Sequence, residues 1–500
     1  MPPLPVLVFV VGTGSLGAEI AAVRLLAPYF GASTVVWANT IGIVLVALSI
    51  GYWLGGKFAD RHPSIRGLCL LTLLAAGLLA IVPFAADPML GLAVDALDSI
   101  SAGAFLGSLI GVLVLVAVPV LLLGAVSPWA IRLAVQKVEE AGEIAGRLYA
   151  LSTAGSLVGT LLSALVLIPL VGTRRTFLVF ALAIAVVAVL GLRPLKRYAL
   201  APAAIVVLLA LPVGALKAET DPGSEVIHEV DTEYQYARVI QRPDGSRSLE
   251  LNEGHAQHSI YEPGGEVLTG DVWDGHLALP FAARTEPPER VAILGNAAGT
   301  TSRAYEKLFP NTKIDGVEID PELSEIGKEY FDMTNPNLEL HHEDARPFLR
   351  QTDARYDVIS VDAYRQPYIP FYLTTEEFFD LVKARLAPGG VLVVNVAHAE
   401  GQDELEKVLT ATIRTAFPNI QRDPMKPTNT LLVASEGSVS ADRLAVAAAG
   451  PKVPDGLKQT ANAAAHRLEE PLTGERTYTD DKAPVEWLID KSIVDYAEGE

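Results

Sequence analysis

Apolar residues crowd the first 217 positions in runs of about twenty, and then thin into short runs separated by amphipathic stretches. Roughly 20 consecutive apolar residues are enough to cross a bilayer core. Runs at 4–25, 34–55, 67–86, 104–126, 148–171, 174–192 and 199–216 therefore predict an α-helical transmembrane bundle of about seven helices over 1–217. The softest place in this count is 87–103, which carries Asp87, Asp95 and Asp98. The first run opens Met1-Pro-Pro-Leu4 with no basic residue ahead of it, so it reads as a span and not as a secretory leader. Gly155, Gly159 and Ser163 fall four apart, a face suited to close helix packing or simply part of an alanine- and glycine-rich membrane sequence. Glu19 lies inside the first span. A carboxylate there is costly unless it faces the bundle interior, as a structural polar contact or as part of a transport path.

The period changes after a joint at 217–224. Residues 237–242 and 248–252 read as a hairpin around Pro243-Asp244-Gly245-Ser246, and 218–285 as a linker with a small β region. From residue 290, strands at 291–294, 313–318, 338–342, 356–361 and 390–395 alternate with helices at 301–308, 321–331, 345–351, 375–386 and 403–416. Alternation of this kind implies a parallel, doubly wound α/β sheet, a Rossmann-like domain over 286–440. Its ligand crevice lies at the carboxyl ends of the strands. The alanine-rich stretch 439–454 reads as flexible, and 478–495 as an ordered tail docking on the domain, so 441–500 forms a last segment.

Charge divides the chain at the same place. Residues 1–217 carry a net of +5 and residues 218–500 a net of −24. An acidic globular region repels nucleic acid. The single cysteine, Cys69, sits in an apolar run, so neither a disulfide framework nor a cysteine zinc site is available within one chain. His341 and His342 alternate faces on a strand and do not suit a shared metal, and no metal ligand set is assigned. His255 and His258 read as surface or packing residues.

Four positions meet at the predicted rim: Gly295, Glu318, Asp344 and Asp362. The turn Gly295-x-x-x-Gly299 lacks the Lys-Ser/Thr of a phosphate loop and the third glycine of a dinucleotide fingerprint, and suits a nucleoside without a phosphate chain. Nineteen residues after Gly299, Glu318 is placed to accept both hydroxyls of a ribose. Asp344, closing the third strand, can accept from the exocyclic amine of adenine. Asp362, closing the fourth, is placed for general base work or for gripping an amine. The proline-bearing loop after it brings Tyr364, Tyr368, Phe371 and Tyr372, as pocket walls or as plain packing.

Three runs share a pattern with a known family: Asp231-Thr-Glu-Tyr-Gln-Tyr-Ala-Arg238, Leu251-Asn-Glu-Gly-His-Ala-Gln257, and the rim motifs above. Over about 225–435 the chain resembles the spermidine synthases, or polyamine aminopropyltransferases. The membrane half resembles the multi-pass domain fused to some bacterial members, through Arg24-Leu-Leu-Ala-Pro-Tyr-Phe-Gly-Ala-Ser33, Gly51-Tyr-Trp-Leu-Gly-Gly-Lys-Phe-Ala-Asp-Arg61 and Pro169-Leu-Val-Gly-Thr-Arg-Arg-Thr176. The resemblance implies transfer of an aminopropyl group from decarboxylated S-adenosylmethionine, a co-substrate and not a resident cofactor, to putrescine or a related amine. By the same match Asp362 is the proton acceptor, Gln235 the thioadenosine-contacting glutamine and Glu318 the ribose acid. Asp344 with Ala345 forms the adenine-side pair, near Pro370. On the amine side the match offers Asp274 or His276, with Tyr364. Two positions depart from the family pattern. Ala298 stands where the Gly-rich loop keeps an acid, and Arg365 where a second acid follows Asp362.

These features carry three readings. The first is a membrane-bound aminopropyltransferase whose partners are an amine, a sulfonium nucleoside and the lipid bilayer, with homo-oligomerisation left open. Ala298 and Arg365 favour a second, a non-catalytic nucleoside- or polyamine-binding or transport-linked membrane protein. The third is a methyltransferase. Basic residues at Lys57, Arg61 and Arg66, at Arg132, Lys137 and Arg147, and at Arg193, Lys196 and Arg197 put the N-terminus in the cytoplasm. Seven spans would then leave the acidic domain outside, away from a cofactor made in the cytosol.

Overall fold

A computed structural model describes residues 4–30, 34–97, 103–211, 221–252, 256–364, 368–486 and 488–489. His255, Arg365 and Pro367, and 212–220, which ends the run 199–216 and begins the joint, lie outside the described residues. The chain forms two compact units. One comprises residues 1–219 with 229–236 and 252–254, and the other takes the remainder.

The first unit is helical. Among the described residues six helical stretches are long and apolar enough to cross a membrane: Leu4–Leu26, Val36–Arg61, Ile65–Ala86, Ala117–Ala134, Val138–Leu167 and Thr173–Leu190. The expectation of seven differs at two places. The run 104–126 is broken into helices Gly103–Leu115, Ala117–Gly124 and Val126–Ala134. Of the run 199–216, Leu200–Ala210 is helical, and 212–216 lies outside the described residues.

The pair formed by helices Leu4–Phe30 and Ala141–Leu162 is held by close backbone approach. A Cβ on Gly155 would collide with the carbonyl oxygen of Phe9, and one on Gly159 with that of Thr13. From the same face the Ser163 hydroxyl donates to the Gly17 carbonyl at 3.0 Å. Helix Ala141–Leu162 then widens into a π-helical turn, Ser163–Leu167. Its far side is apolar and bare, with Leu157, Leu161 and Leu165 each at least half exposed. Glu19 is buried, as a carboxylate inside an apolar run must be if it is not to meet hydrocarbon. Residues 229–236 group with the helices because Arg24 pairs with Asp231 at 3.7 Å and the Thr173 hydroxyl donates to the same carboxylate.

A small antiparallel sheet follows the joint in the order β1 (Glu225–Asp231), β2 (Tyr236–Gln241), β3 (Arg247–Leu251), β4 (Gln257–Tyr261). The β2–β3 hairpin closes where proline and glycine predict it, with Gly245 at φ +86° and the Ser246 amide bonded to Asp244. Arg238 and Glu250 form a buried ion pair across it at 2.6 Å.

The second unit is built on a seven-stranded sheet. Its strands are β5 (Arg290–Leu294), β6 (Lys313–Val317), β7 (Leu338–His341), β8 (Tyr356–Val361), β9 (Leu386–Ala397), β10 (Asn419–Lys426) and β11 (Asn429–Ser435). They run in the order β10-β11-β9-β8-β5-β6-β7. The five from β9 to β7 are parallel, while β11 and β10 are antiparallel. β10 carries Pro424 and reads as polar; an edge strand tolerates both, which is why its sequence did not announce it. Residues 439–454, expected to be flexible, instead contain helix Ala441–Ala449, followed by helix Asp455–Arg467. Leu444, Ala448, Val453, Leu457, Ala461 and Ala464 are buried in the core on that side of the sheet. Small alanines there allow close packing, the property that made the stretch look featureless.

Gly159→Ala should lower the stability of the full chain by about 1–3 kcal/mol, because backbone must shift to admit the methyl. Gly146→Ala on the same helix meets nothing within 4 Å and should leave stability unchanged or raised. Thermal unfolding of both variants in detergent checks the contrast.

Candidate active site

Chain order decides where a crevice opens. From β5 the chain moves outward through β6 and β7, then returns to β8 on the other side of β5. The boundary between β5 and β8 is therefore the switch point of the sheet, where ligands of open α/β folds bind. Register aligns the strand ends: Leu294 pairs with Val317 and with Val361, Val317 with His341, and Val361 with Val394. Backbone amides clasp the next residues across strands. Gly295 N donates to Val317 O at 2.9 Å, Glu318 N to His341 O at 3.0 Å and Asp362 N to Leu294 O at 2.9 Å.

The turn after β5 leaves little room for side chains. Gly295 has φ +91°, and a Cβ there would collide with the main chain at Asp362. Gly299, in the left-handed region, opens helix Thr300–Leu308. Between them Ala297 holds φ +44°, uncommon for a residue with a side chain. Ala298 is fully buried, its amide donating to the Ser259 hydroxyl at 3.0 Å.

Glu318 is held by two main-chain donors: Ala297 N to Oε2 at 2.9 Å and Asp320 N to Oε1 at 3.0 Å. Burial pushes its carboxyl up to about 7, against the opposing pull of those donors. Asp344 caps helix Ala345–Gln351, with Oδ1 accepting from Arg346 N at 2.9 Å. Its Oδ2 accepts from the Tyr372 hydroxyl at 2.6 Å. Ala345 is the buried first residue of that helix, and Pro370 precedes the short turn Phe371–Leu373.

Asp362 is half-buried at the surface yet enclosed by protein atoms, and burial pushes its carboxyl up to about 7. Asn395 Nδ2 donates to Oδ1 at 2.8 Å, which favours the charged form, while the nearby charge of Asp271 disfavours it. Asn429 in turn donates to Asn395 Oδ1 at 3.1 Å and fixes the amide. Sequence reasoning passed over Asn395 and Asp271. A lone asparagine in the apolar run of β9, at a strand's carboxyl end, was the available signal. Asp271 caps helix Val272–Ala278 and pairs with Lys426, a partner 155 residues away that no local pattern reveals.

The remaining expected residues lie elsewhere. Tyr364 donates to Asn395 O at 2.8 Å and accepts from Ala397 N at 2.8 Å, so its hydroxyl is a strut onto β9. The Asp274 carboxylate is buried and takes both main-chain amides of residues 269 and 270. His276 is 1% exposed, neither ring nitrogen has a partner among the described residues, and burial pushes its pKa down to about 4. Gln235 belongs to the first unit, where Thr232 holds its amide at 3.0 Å and its carbonyl at 2.8 Å. Glu339, Asp315 and His341 gather donor atoms on β6 and β7. Asp315 is already shared by Arg290 at 2.8 Å and His341 at 2.9 Å, contacts that a cation would have to displace.

The spermine/spermidine synthase domain family matches residues 276–434. A probable polyamine aminopropyl transferase of Bifidobacterium longum is 30% identical over 325 residues, covering 60% of this chain and 72% of its own. A polyamine aminopropyltransferase of Vibrio vulnificus is 31% identical over 226 residues, covering 43% and 72%. Among solved structures, a probable spermidine synthase from Corynebacterium glutamicum aligns with 49% of this chain and 96% of its own, at TM-score 0.39 and 22% identity. Identity of this extent over most of both curated relatives shows that the chain belongs to the polyamine aminopropyltransferase family of enzymes.

Proposed function

We propose that this chain is a membrane-bound aminopropyltransferase that uses decarboxylated S-adenosylmethionine and putrescine or a related amine. The observation that carries the reading is Asp362 at the switch point of the sheet, with its carboxyl raised to about 7. In the reaction the amine nitrogen's lone pair attacks the propyl carbon bound to sulfonium. The carbon–sulfur bond breaks, its electron pair stays on sulfur, and neutral methylthioadenosine leaves. The proton lost by the amine passes to Asp362, and a base poised near neutrality suits that step. With the carbon already activated, the protein's remaining task is alignment.

Glu318 is assigned to the ribose hydroxyls, since its two oxygens are oriented by main-chain amides and each keeps further acceptor capacity. Asp344, with Ala345 and Pro370, is assigned to adenine. Gln235 keeps the thioadenosine role on its motif match alone. On the amine side the same holds for Asp274 and His276, although both are buried; Tyr364 is assigned to positioning through β9. Ala298 and Arg365 stand where the resembling family keeps amine-binding acids.

The bilayer is supported by the six apolar stretches and by the bare leucines of helix Ala141–Leu162, which need an apolar surrounding. The six spans found among the described residues would return the chain to its starting side. With the basic loops inside, the C-terminal region then lies in the cytosol, where the nucleoside is made. A single cysteine at Gly437→Cys in a Cys69→Ala background should react with an impermeant maleimide only after cells are opened. Labelling of intact cells would refute this topology.

Activity is tested by release of methylthioadenosine from decarboxylated S-adenosylmethionine and putrescine by the purified full chain. Asp362→Asn should lower the rate by about 100-fold or more. Absence of release with any diamine would favour the binding or transport reading. In wild type, kcat/KM should climb with pH through about 7 as Asp362 loses its proton.

Stability should move the opposite way. A carboxyl raised above its unfolded value is neutral in the fold at low pH and must be ionised, at a cost, as pH rises through about 7. Asp362→Asn removes that cost. Its melting temperature relative to wild type should therefore be higher at pH 8 than at pH 5, a comparison made by paired thermal scans.

A further inference from the structure

The C-terminal segment meets helix Ala345–Gln351, the helix that Asp344 caps. Its start is anchored by main chain: Glu376 N donates to Tyr478 O at 2.8 Å, and Tyr478 N donates to the Thr412 hydroxyl at 3.1 Å. Its end is anchored by Val485, Leu488 and Ile489, buried in the core. Between these anchors Asp480 meets Arg346 in a two-pronged pair, Nη1 to Oδ1 at 2.7 Å and Nη2 to Oδ2 at 2.6 Å. The Thr375 hydroxyl donates to the same Oδ1 at 2.8 Å, and Asp480 N donates to Glu377 Oε2 at 3.0 Å.

What Arg346 does with its remaining capacity gives the pair a purpose. Its Nη1 also donates to the carbonyl of Tyr372 at 3.2 Å, and the Tyr372 hydroxyl donates to Asp344 Oδ2 at 2.6 Å. Asp344 Oδ1 accepts from the amide of Arg346 itself. The contacts close a ring, Arg346 to Tyr372 to Asp344 and back to Arg346, and Asp480 joins it at the guanidinium. The Arg346 side chain is 9% exposed, and a guanidinium so enclosed needs a carboxylate to hold its fork in one orientation. Within the second unit Asp480 is the group that provides it.

We infer that Asp480 is a positioning residue for nucleoside recognition: through Arg346 and Tyr372 it sets the plane of the Asp344 carboxylate that accepts from the 6-amino group of adenine. This rests on the assignment of Asp344 to adenine given above. It adds that discrimination for a 6-aminopurine depends on a residue 134 positions further along the chain than Arg346.

The test uses the full chain in detergent and two probes, 5′-methylthioadenosine and its analogue with hydrogen in place of the 6-amino group. Binding of each is measured by calorimetry. Asp480→Asn keeps the shape and removes the charge. It should weaken methylthioadenosine by about ten-fold and leave the analogue within about two-fold, because only the former uses the oriented carboxylate. Arg346→Lys, which keeps charge but loses the fork, should show the same selective loss, and Asp480→Glu should recover part of it. Equal weakening of both probes would mean that the segment only stabilises the domain. No weakening of either would equally overturn the inference. Asp344→Asn is measured in parallel. If that variant keeps the wild-type preference for the amino compound, the adenine assignment itself fails, a result distinct from failure of the Asp480 ring.

Discussion

Leu294 is paired on one side with Val317 and on the other with Val361, and the rim depends on that double pairing. A strand hydrogen-bonded on both edges cannot slip by one residue without turning every side chain to the opposite face. The carboxyl ends of β5, β6 and β8 are therefore level, and so are Gly295, Glu318 and Asp362. The glycine is forced by the same arrangement: the main chain at Asp362 occupies the place a Cβ at residue 295 would need. Sheet register, turn chemistry and the spacing of the acids are one constraint seen at three scales.

Level strand ends also explain the electrostatics. Glu318 is held by main-chain amides, which supply directed donors where water is excluded. For Glu318 the two effects oppose each other, and exclusion wins. For Asp362 the side chain of Asn395 takes the part of the main-chain donor, and exclusion wins again. Two carboxyls raised to about 7, at the ends of the two strands that flank β5, follow from the geometry of the sheet's carboxyl end.

Much of this was legible in the sequence because the second unit is locally consistent. The periods of 2 and 3.6 are clean from residue 290 to 416, and the observed elements there begin and end within a residue or two of the expected ones, apart from β9, which starts four residues earlier. Glu318, Asp344 and Asp362 could be singled out because their strands stop at an acid, and Gly295 because an apolar run stops at a glycine turn. Partners brought by distant segments were not visible. Asn395, Lys426 and Asp480 carry no local sequence pattern that marks their partners. The alanines of 441–464 looked featureless because small side chains pack without a pronounced stripe. In the helical unit, composition marked the apolar runs well. It could not tell one long helix from the broken series over 103–134, since both are uniformly apolar and the breaks carry no polar punctuation.

The glycine contact between helices Leu4–Phe30 and Ala141–Leu162 has a consequence for how the chain is made. Its two sides, Gly12 and Ser156, are 144 residues apart, with most of the other helices between them. The first helix therefore leaves the ribosome long before the face that covers it exists. Throughout that interval its small-residue face lacks the helix it packs against. The packing of the first helix is thus tied to a face made only after most of the helical unit.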